Sequence, residues 1–253
     1  MKTEILGVKV DNLDQDEVLL KIEEFLGGDS FRPERDKQRY IVTLNPEFLV
    51  EARRDGEFKD ILNQADISVA DGIGLILAAR WLGYPLKKRL AGVDLMEAIC
   101  RRAAEKDWPV FLLGGGEGVA EEAALKLAKE YSGLEIEVWD EKAVSNFGKA
   151  GSKDKKGILF VALGAPKQEK WIAANLSKMP SVKLAVGVGG AFDFISGRVR
   201  RAPKFIRRAG LEWLWRFGCQ PWRFRRIFRA VVVFPWLALK EKLSTDRKFQ
   251  NKR

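Results

Sequence analysis

The sequence contains no histidine among its 253 residues. Enzymes that use an imidazole as a base, including the Ser-His-Asp hydrolases, and metal sites with histidine ligands are therefore excluded. Cysteine is almost as scarce, because only Cys100 and Cys219 are present, far apart in the chain. Two isolated cysteines provide neither a disulfide framework nor a metal motif, and their scarcity is typical of proteins from a reducing compartment.

Long hydrophobic runs are also missing. No stretch reaches the ~18 apolar residues that predict a membrane-spanning helix, and the apolar segment 230–239 is short and interrupted by Pro235. The first residues lack the apolar core of a secretory signal peptide. We therefore expect neither a membrane span nor a signal peptide. The length fits one large α/β domain or a domain with an appendage.

Positive charge is concentrated at the carboxyl end. Residues 198–253 contain 17 Lys or Arg and three Asp or Glu, whereas the whole chain has a net charge of +10, so residues 1–197 are slightly acidic. A basic, tryptophan-rich tail on an acidic body indicates an anionic partner for the tail. Phosphate groups, acidic lipid and nucleic acid are the candidates.

Short apolar segments alternate with amphipathic helical segments through most of the chain. This pattern predicts a Rossmann-like, mostly parallel sheet with helices on both faces, which we assign to a body of residues 1–200. One strand is expected at residues 5–10 and one helix at residues 46–63. Residues 201–253 are expected to form a helical appendage. Its arginines, tryptophans and aliphatic residues favour binding to an anionic membrane surface, and packing on the body with a solvated arginine face is the alternative.

Five of the predicted strands end in polar or glycine-rich sequence. These ends are Thr43 with Asn45, Asp71, Gly114 with Gly115 and Gly116, Gly164 with Pro166 and Gln168, and Gly189 with Gly190 and Asp193. The carboxyl ends of parallel strands meet at one edge, where α/β proteins bind their ligands, and glycine turns ahead of a helix suit phosphate groups. The sequence therefore predicts a substrate cleft at this edge.

Several of these residues also have an ordinary structural interpretation. Asn45, directly ahead of Pro46, suits the cap of a helix, and Asp71 could be either a helix cap or a carboxylate held at the sheet edge. The segment 14–16 has the DxD spacing of a metal-binding motif, but its position favours the start of a helix. The glycines after residue 113 miss the complete GxGxxG dinucleotide motif, since Val119 occupies the last position.

In several sequence blocks the chain resembles the WecG/TagA/CpsF glycosyltransferases, also called glycosyltransferase family 26. The matching blocks are residues 43–46 (TLNP), 70–74 (ADGIG), Arg89 with 92–94 (GVD), 164–171 (GAPKQEKW), 187–193 (GVGGAFD), 201–204 (RAPK) and 211–214 (LEWL). The resemblance extends from Ile5 to about Arg226. It implies transfer of an N-acetylmannosamine-type sugar from UDP to a polyprenyl-diphosphate-linked N-acetylglucosamine, at the cytoplasmic membrane face, in teichoic acid, common antigen or capsule synthesis.

The resemblance also implies roles for individual residues. Asp71 corresponds to the proposed general base of an inverting transfer. The other polar active-site residues that it implies are Thr43, Asn45, Arg89 and Gln168. The appendage corresponds to a membrane-docked lid whose arginines, Arg216, Arg223 and Arg226, meet the diphosphate. This chain lacks the family's aromatic segment between Trp139 and Ile158, so we assign Trp139 to the uracil.

The glycine turns at Gly114–116, Gly164 and Gly189–190, together with Pro166 and Asp193, are expected to bind the nucleotide. No metal or other cofactor is expected, because arginines can balance the charge of the diphosphate. Glucose and N-acetylmannosaminuronic acid remain alternative donor sugars, and a homo-oligomer remains open. Two other classes, a dinucleotide enzyme and a nucleic-acid-binding protein, fit less well. The glycine motif is incomplete, and the apolar run after Arg229 fits lipid better than nucleic acid.

Overall fold

A computed structural model describes residues 2–27, 37–84, 86–140 and 156–250, and it describes the side chains as far as residue 244. The strands are β1 (Lys2–Ile5), β2 (Val8–Asp11), β3 (Arg39–Leu44), β4 (Ile67–Ala70), β5 (Val110–Gly114), β6 (Ile136–Trp139), β7 (Gly157–Ala162) and β8 (Val182–Gly187). Six of them form one sheet in the order β4-β3-β8-β7-β5-β6, and every neighbouring pair is parallel. The predicted parallel α/β fold is confirmed.

Helices cover both faces of this sheet. They are α1 (Gln15–Gly27), α2 (Pro46–Ala52), α3 (Gly56–Gln64), α4 (Ile73–Trp81), α5 (Gly92–Lys106), α6 (Val119–Glu130), α7 (Lys167–Asn175), α8 (Ala191–Ile195), α9 (Lys204–Arg208), α10 (Glu212–Cys219), α11 (Phe224–Phe228) and α12 (Phe234–Gln250). In β7, Ile158 and Phe160 join the core beneath α1, α5 and α6, whereas Leu159 and Val161 face the core beneath α7. This alternation follows from the two-residue period of a strand.

Two predicted elements are divided in the structure. Residues 5–10 are not one strand, because Leu6 and Gly7 form a two-residue turn between antiparallel β1 and β2, both with positive φ. The prediction of one continuous helix over residues 46–63 is also wrong, since residues 53–55 separate α2 from α3. The Asp55 carboxylate accepts a hydrogen bond from Phe58 N (2.9 Å) and caps α3 there.

The DxD segment begins a helix. Asp14 Oδ1 accepts a hydrogen bond from Glu17 N (3.1 Å), and Glu17 Oε2 accepts one from Asp14 N (2.9 Å). These reciprocal bonds are those of a capping box. The interpretation of this segment as the start of α1 is confirmed.

The appendage packs against the body through one side of its last helix. Phe234 and Ala238 are buried in the same core cluster as α2, α3 and α4. The opposite side of the same segment, at intervals of three and four residues, carries the exposed side chains Val232, Trp236, Leu239 and Leu243. Packing on the body is therefore observed for one face of this helix, whereas binding of the other, exposed apolar face to a membrane stays a prediction. The division of the chain at residue 200 stays a prediction.

A π-helical turn, Arg229–Val233, joins α11 to α12. Pro235 has no N–H, and its ring clashes with the carbonyl four residues earlier in a regular α-helix. Widening the turn relieves that conflict, and Phe234 N donates to Arg229 O, five residues back. Two ion pairs hold this segment on α2, Arg226–Glu47 (2.6 Å) and Arg229–Glu51 (2.9 Å). No helix in the described part of the chain has the length and apolar character needed to cross a membrane.

We expect Phe234→Ala to lower the free energy of unfolding by about 3–5 kcal/mol, because it empties a fully buried site between the appendage and the body. Trp236→Ala, two residues away on the exposed face, is the matched control and should change stability by less than about 1 kcal/mol. Urea unfolding at constant pH measures both. Equal losses for the two variants would mean that α12 is not docked through Phe234.

Candidate active site

A cavity of about 620 Å³ opens at the carboxyl edge of the sheet, between the body and the appendage. All five predicted strand ends contribute to its walls. The contributing residues of these ends include Thr43, Asn45, Asp71, Gly115, Gly116, Gly164, Gln168, Gly189, Gly190 and Asp193. Arg89 and the appendage residues Arg216, Arg223 and Arg226 complete the lining. The structure therefore brings most of the sequence-predicted residues together, while their catalytic and binding roles stay predictions.

Asp71 follows β4 directly and is held at the sheet edge. Its backbone N–H donates to Leu44 O (2.6 Å), and its carboxylate Oδ2 accepts from Gly92 N (3.1 Å), the first residue of α5. Its side chain does not cap α4. Burial raises the pKa of Asp71, and the Gly92 N–H and the positive charge of Arg89 oppose that shift in part. A buried carboxylate with a raised pKa has the character of a general base.

Thr43 and Asn45 hold neighbouring backbone segments in place. The Thr43 hydroxyl is buried and donates to Gly187 O (2.9 Å), which joins β3 to β8. Asn45 Oδ1 accepts from Glu47 N (2.9 Å) and Phe48 N (3.4 Å), so the predicted helix cap is confirmed. Both residues also line the cavity.

Gln168 links the ends of two strands. Its side-chain Oε1 accepts from Gly164 N (3.2 Å) and from Gly189 N (3.0 Å), and its Nε2 donates to Glu169 Oε1 (2.6 Å). Both ends of the amide are therefore occupied within the protein. Gln168 positions the two glycine turns that follow β7 and β8.

Glu169 is fully buried below these turns. Burial raises its pKa to about 7, although the hydrogen bond from Gln168 opposes the shift. Its second oxygen, Oε2, has no hydrogen-bond partner among the described residues. A carboxyl group in this setting keeps its proton to a higher pH than an exposed glutamic acid does.

Arg216 and Arg223 bring positive charge to the turn at Gly190. A Cβ atom on Gly190 would lie 3.6 Å from an Arg216 Nη atom and 3.8 Å from one of Arg223, so glycine leaves the approach open. The Arg216 guanidinium also lies 4.4 Å above the Phe194 ring. Neither arginine forms an ion pair with a described carboxylate.

Burial lowers the pKa of both guanidiniums, and the repulsion of its arginine neighbours helps to bring that of Arg223 to about 10. Both groups therefore remain charged at neutral pH. Partly buried positive charge that forms no ion pair with a described carboxylate indicates a site for an anionic ligand.

An ion-pair chain links the appendage to the body beside this site. Arg89 Nη2 donates to Glu212 Oε2 (2.6 Å), and Arg201 Nε lies 3.6 Å from Glu212 Oε1. Arg201 also donates to both carboxylate oxygens of Asp94 (2.6 and 2.7 Å). Sequence reasoning assigned no role to Glu212. The available signal was that it is the only acidic residue between Arg198 and Lys240.

Three predicted binding residues lie outside the cavity wall. Trp139 is buried and stacks on Phe111, with ring centroids 4.1 Å apart, so the assignment of Trp139 to the uracil is corrected. Gly114 has a φ of +94°, and a Cβ there would lie 2.8 Å from the Leu163 side chain. Pro166 immediately precedes α7. Gly114 and Pro166 therefore shape turns and do not line the cavity.

The fold and the cavity define an α/β protein with a ligand cleft at the strand ends, lined by glycine turns and by two guanidiniums that form no ion pair with a described carboxylate. Such a cleft is typical of enzymes that bind nucleotides. Residues 3–248 match the sequence model of the glycosyl transferase WecG/TagA/CpsF family, and the protein belongs to this family.

Three curated relatives cover much of the chain. The Bacillus spizizenii protein is 36% identical over 200 residues, 77% of this chain and 76% of its own length. A Bacillus subtilis protein is 32% identical over 79% of each chain, and one from Staphylococcus aureus is 31% identical over 95% of this chain and 93% of its own. All three are named N-acetylglucosaminyldiphosphoundecaprenol N-acetyl-beta-D-mannosaminyltransferase.

The buried carboxyl group of Glu169 should make folding stability depend on pH. Between its ordinary pKa of 4.5 and about 7, the native protein keeps a proton that the unfolded chain releases, so the stabilisation is complete below pH 4.5 and is lost as the pH rises. Relative to Glu169→Gln, the wild type should lose on the order of 3 kcal/mol across this range. Urea unfolding at several pH values measures the difference. Parallel stability curves for the two proteins would contradict it.

Proposed function

We propose that this protein transfers N-acetylmannosamine from UDP to an N-acetylglucosamine carried on a polyprenyl diphosphate. Family membership and the names of the relatives support a glycosyl transfer of this kind. The observation that carries the proposal is that Asp71 and the unpaired guanidiniums of Arg216 and Arg223 line one cavity. A base and an anion site within one cleft suit the transfer of a group from a diphosphate to a hydroxyl.

In the proposed step, the Asp71 carboxylate takes the proton from the acceptor hydroxyl as its oxygen attacks the anomeric carbon. The bond from that carbon to the diphosphate breaks, and UDP leaves with the electron pair. Attack opposite the leaving group inverts the anomeric centre. The hydrogen bond from Gly92 N and the charge of Arg89 favour the ionised carboxylate that this step requires, against the effect of burial.

The diphosphate of UDP would bind against the turn at Gly190, facing Arg216 and Arg223. Planar guanidiniums can donate two hydrogen bonds to one phosphate group, and they balance charge without a divalent ion. Arg226 would add charge from the edge of the site, where it also pairs with Glu47. We therefore propose a metal-independent reaction. Thr43, Asn45 and Gln168 would position the surrounding backbone.

Peripheral attachment to the membrane is part of the proposal. The acceptor is lipid-linked, and the appendage exposes large apolar side chains beside its arginines, among them Phe205, Trp222, Phe228 and Trp236. Such a combination suits the interface of an anionic bilayer. The cytoplasmic face of the membrane is the location we propose, with no nucleic-acid partner.

The proposal is tested by a panel of UDP-sugars with a short-chain lipid-diphosphate acceptor, in a buffer containing EDTA. We expect product from UDP-N-acetylmannosamine, and Asp71→Asn should lower kcat by about 10²–10⁴-fold while UDP binding is retained. Asp60→Asn, which removes an exposed carboxylate of α3 outside the cavity lining, is the matched control and should keep the wild-type kcat.

The outcomes separate the parts of the proposal. Transfer only from UDP-glucose or from a uronic acid donor would contradict the proposed donor sugar but not the glycosyl transfer. No transfer from any donor would refute the proposed function. Turnover by Asp71→Asn within a few-fold of wild type would show that Asp71 is not the base. Activity that is lost in EDTA and restored by Mg²⁺ would overturn the metal-independent step.

A further inference from the structure

The cavity has a second part that the proposed step does not use. Beyond Asp71 and the arginines, its walls become aliphatic. These residues, which we call the apolar groove, are Ile73 and Leu77 of α4 with Ile227, Ala230, Val231 and Pro235 of the appendage. A UDP-sugar has no aliphatic chain, so it does not account for this aliphatic surface.

The groove residues form a ridge on each wall. Ile73 and Leu77 are four residues apart on α4, and Trp81 continues the same row towards solvent. On the facing wall, Ile227, Val231 and Pro235 have the same spacing. Since α-helical residues four apart share a face, α4 presents a continuous apolar row, and the three residues of the facing wall line the same cavity across the π-helical turn. The α4 row begins two residues after Asp71 and extends about 12 Å, at 1.5 Å per residue.

These apolar side chains are open rather than buried. Leu77 is 55% exposed, Val231 is 39% exposed and Trp81 is 43% exposed. At the outer end, Lys242 Nζ lies 4.9 Å above the Trp81 ring. Exposed aliphatic residues on both sides of a formed cleft are typical of a site for an apolar ligand.

The groove adjoins the cationic part of the same cavity. Arg226 and Ile227 are consecutive residues, and both line it. A ligand that fills both parts needs an anionic group joined directly to an aliphatic chain. In the reaction proposed above, only the polyprenyl-diphosphate acceptor has that structure.

We infer that the apolar groove binds the first isoprene units of the acceptor, next to its diphosphate. The inference rests on the proposed function and adds a binding site for the lipid portion of the substrate. The groove then directs the remaining chain past Trp81 and Val231 towards the exposed apolar face of the appendage.

The test compares two acceptors with the same N-acetylglucosamine diphosphate, one carrying a single isoprene unit and one carrying three. Both are used below the concentration at which they aggregate, so that membrane attachment does not contribute. Wild type should prefer the longer acceptor by at least about tenfold in kcat/KM, because more aliphatic surface is buried. Leu77→Asn and Val231→Asn should each reduce this preference by at least about threefold.

Leu125→Asn is the matched control, since Leu125 is 73% exposed on α6 and lies outside the cavity lining. It should keep the wild-type preference. If the wild type uses both acceptors equally, or if both groove variants keep the wild-type preference for the longer acceptor, the groove does not bind the isoprene units. The proposed function would be unaffected by either result. Failure of the wild type to use either acceptor would refute the proposed function itself.

Discussion

The carboxylate of Glu212 is the contact on which the arrangement of the site depends. It lies between Arg89 of the body and Arg201 at the start of the appendage, and all three side chains are largely buried. Removing one member of such a group leaves an uncompensated charge, which costs about 3–5 kcal/mol in buried pairs. Glu212 also begins α10, so the same contact sets where the Arg216 guanidinium enters the cavity, one helical turn further on.

The chemistry is divided between the two parts of the chain. The body supplies Asp71, the glycine turns and the Gln168 amide that joins them. The appendage supplies Arg216 and Arg223, and its apolar residues form the second wall of the groove. In the proposed reaction neither part has a complete site alone. Buried Phe234 of α12 and the ion pairs of Arg226 and Arg229 to α2 hold the appendage on the body. In a chain without histidine, a carboxylate can serve as the base and guanidiniums can bind the anion.

Local sequence predicted those features that depend on local physics. The parallel sheet and the convergence of five strand ends follow from periodicity and from the way parallel strands align. The cap at Asn45 and the helix start at residues 14–16 follow from local capping preferences. Features set by tertiary contacts were not predictable. The position of Trp139 is decided by stacking on Phe111, and that of the Gln168 side chain by hydrogen bonds from the backbone of Gly164 and of Gly189 on another strand end. Glu212 carried only the weak signal of an acidic residue in a basic tail.

The central claim is that guanidiniums of the docked appendage bind the diphosphate of the donor. Calorimetric titration with UDP in EDTA tests it most directly, using wild type, the Arg216→Gln/Arg223→Gln double variant and Arg208→Gln, a control at an exposed arginine outside the cavity. The account predicts affinity weaker by about 100-fold or more in the double variant, since each charged hydrogen bond contributes about 1.5–3 kcal/mol, and wild-type affinity in the control. Equal UDP affinity in all three proteins would contradict it.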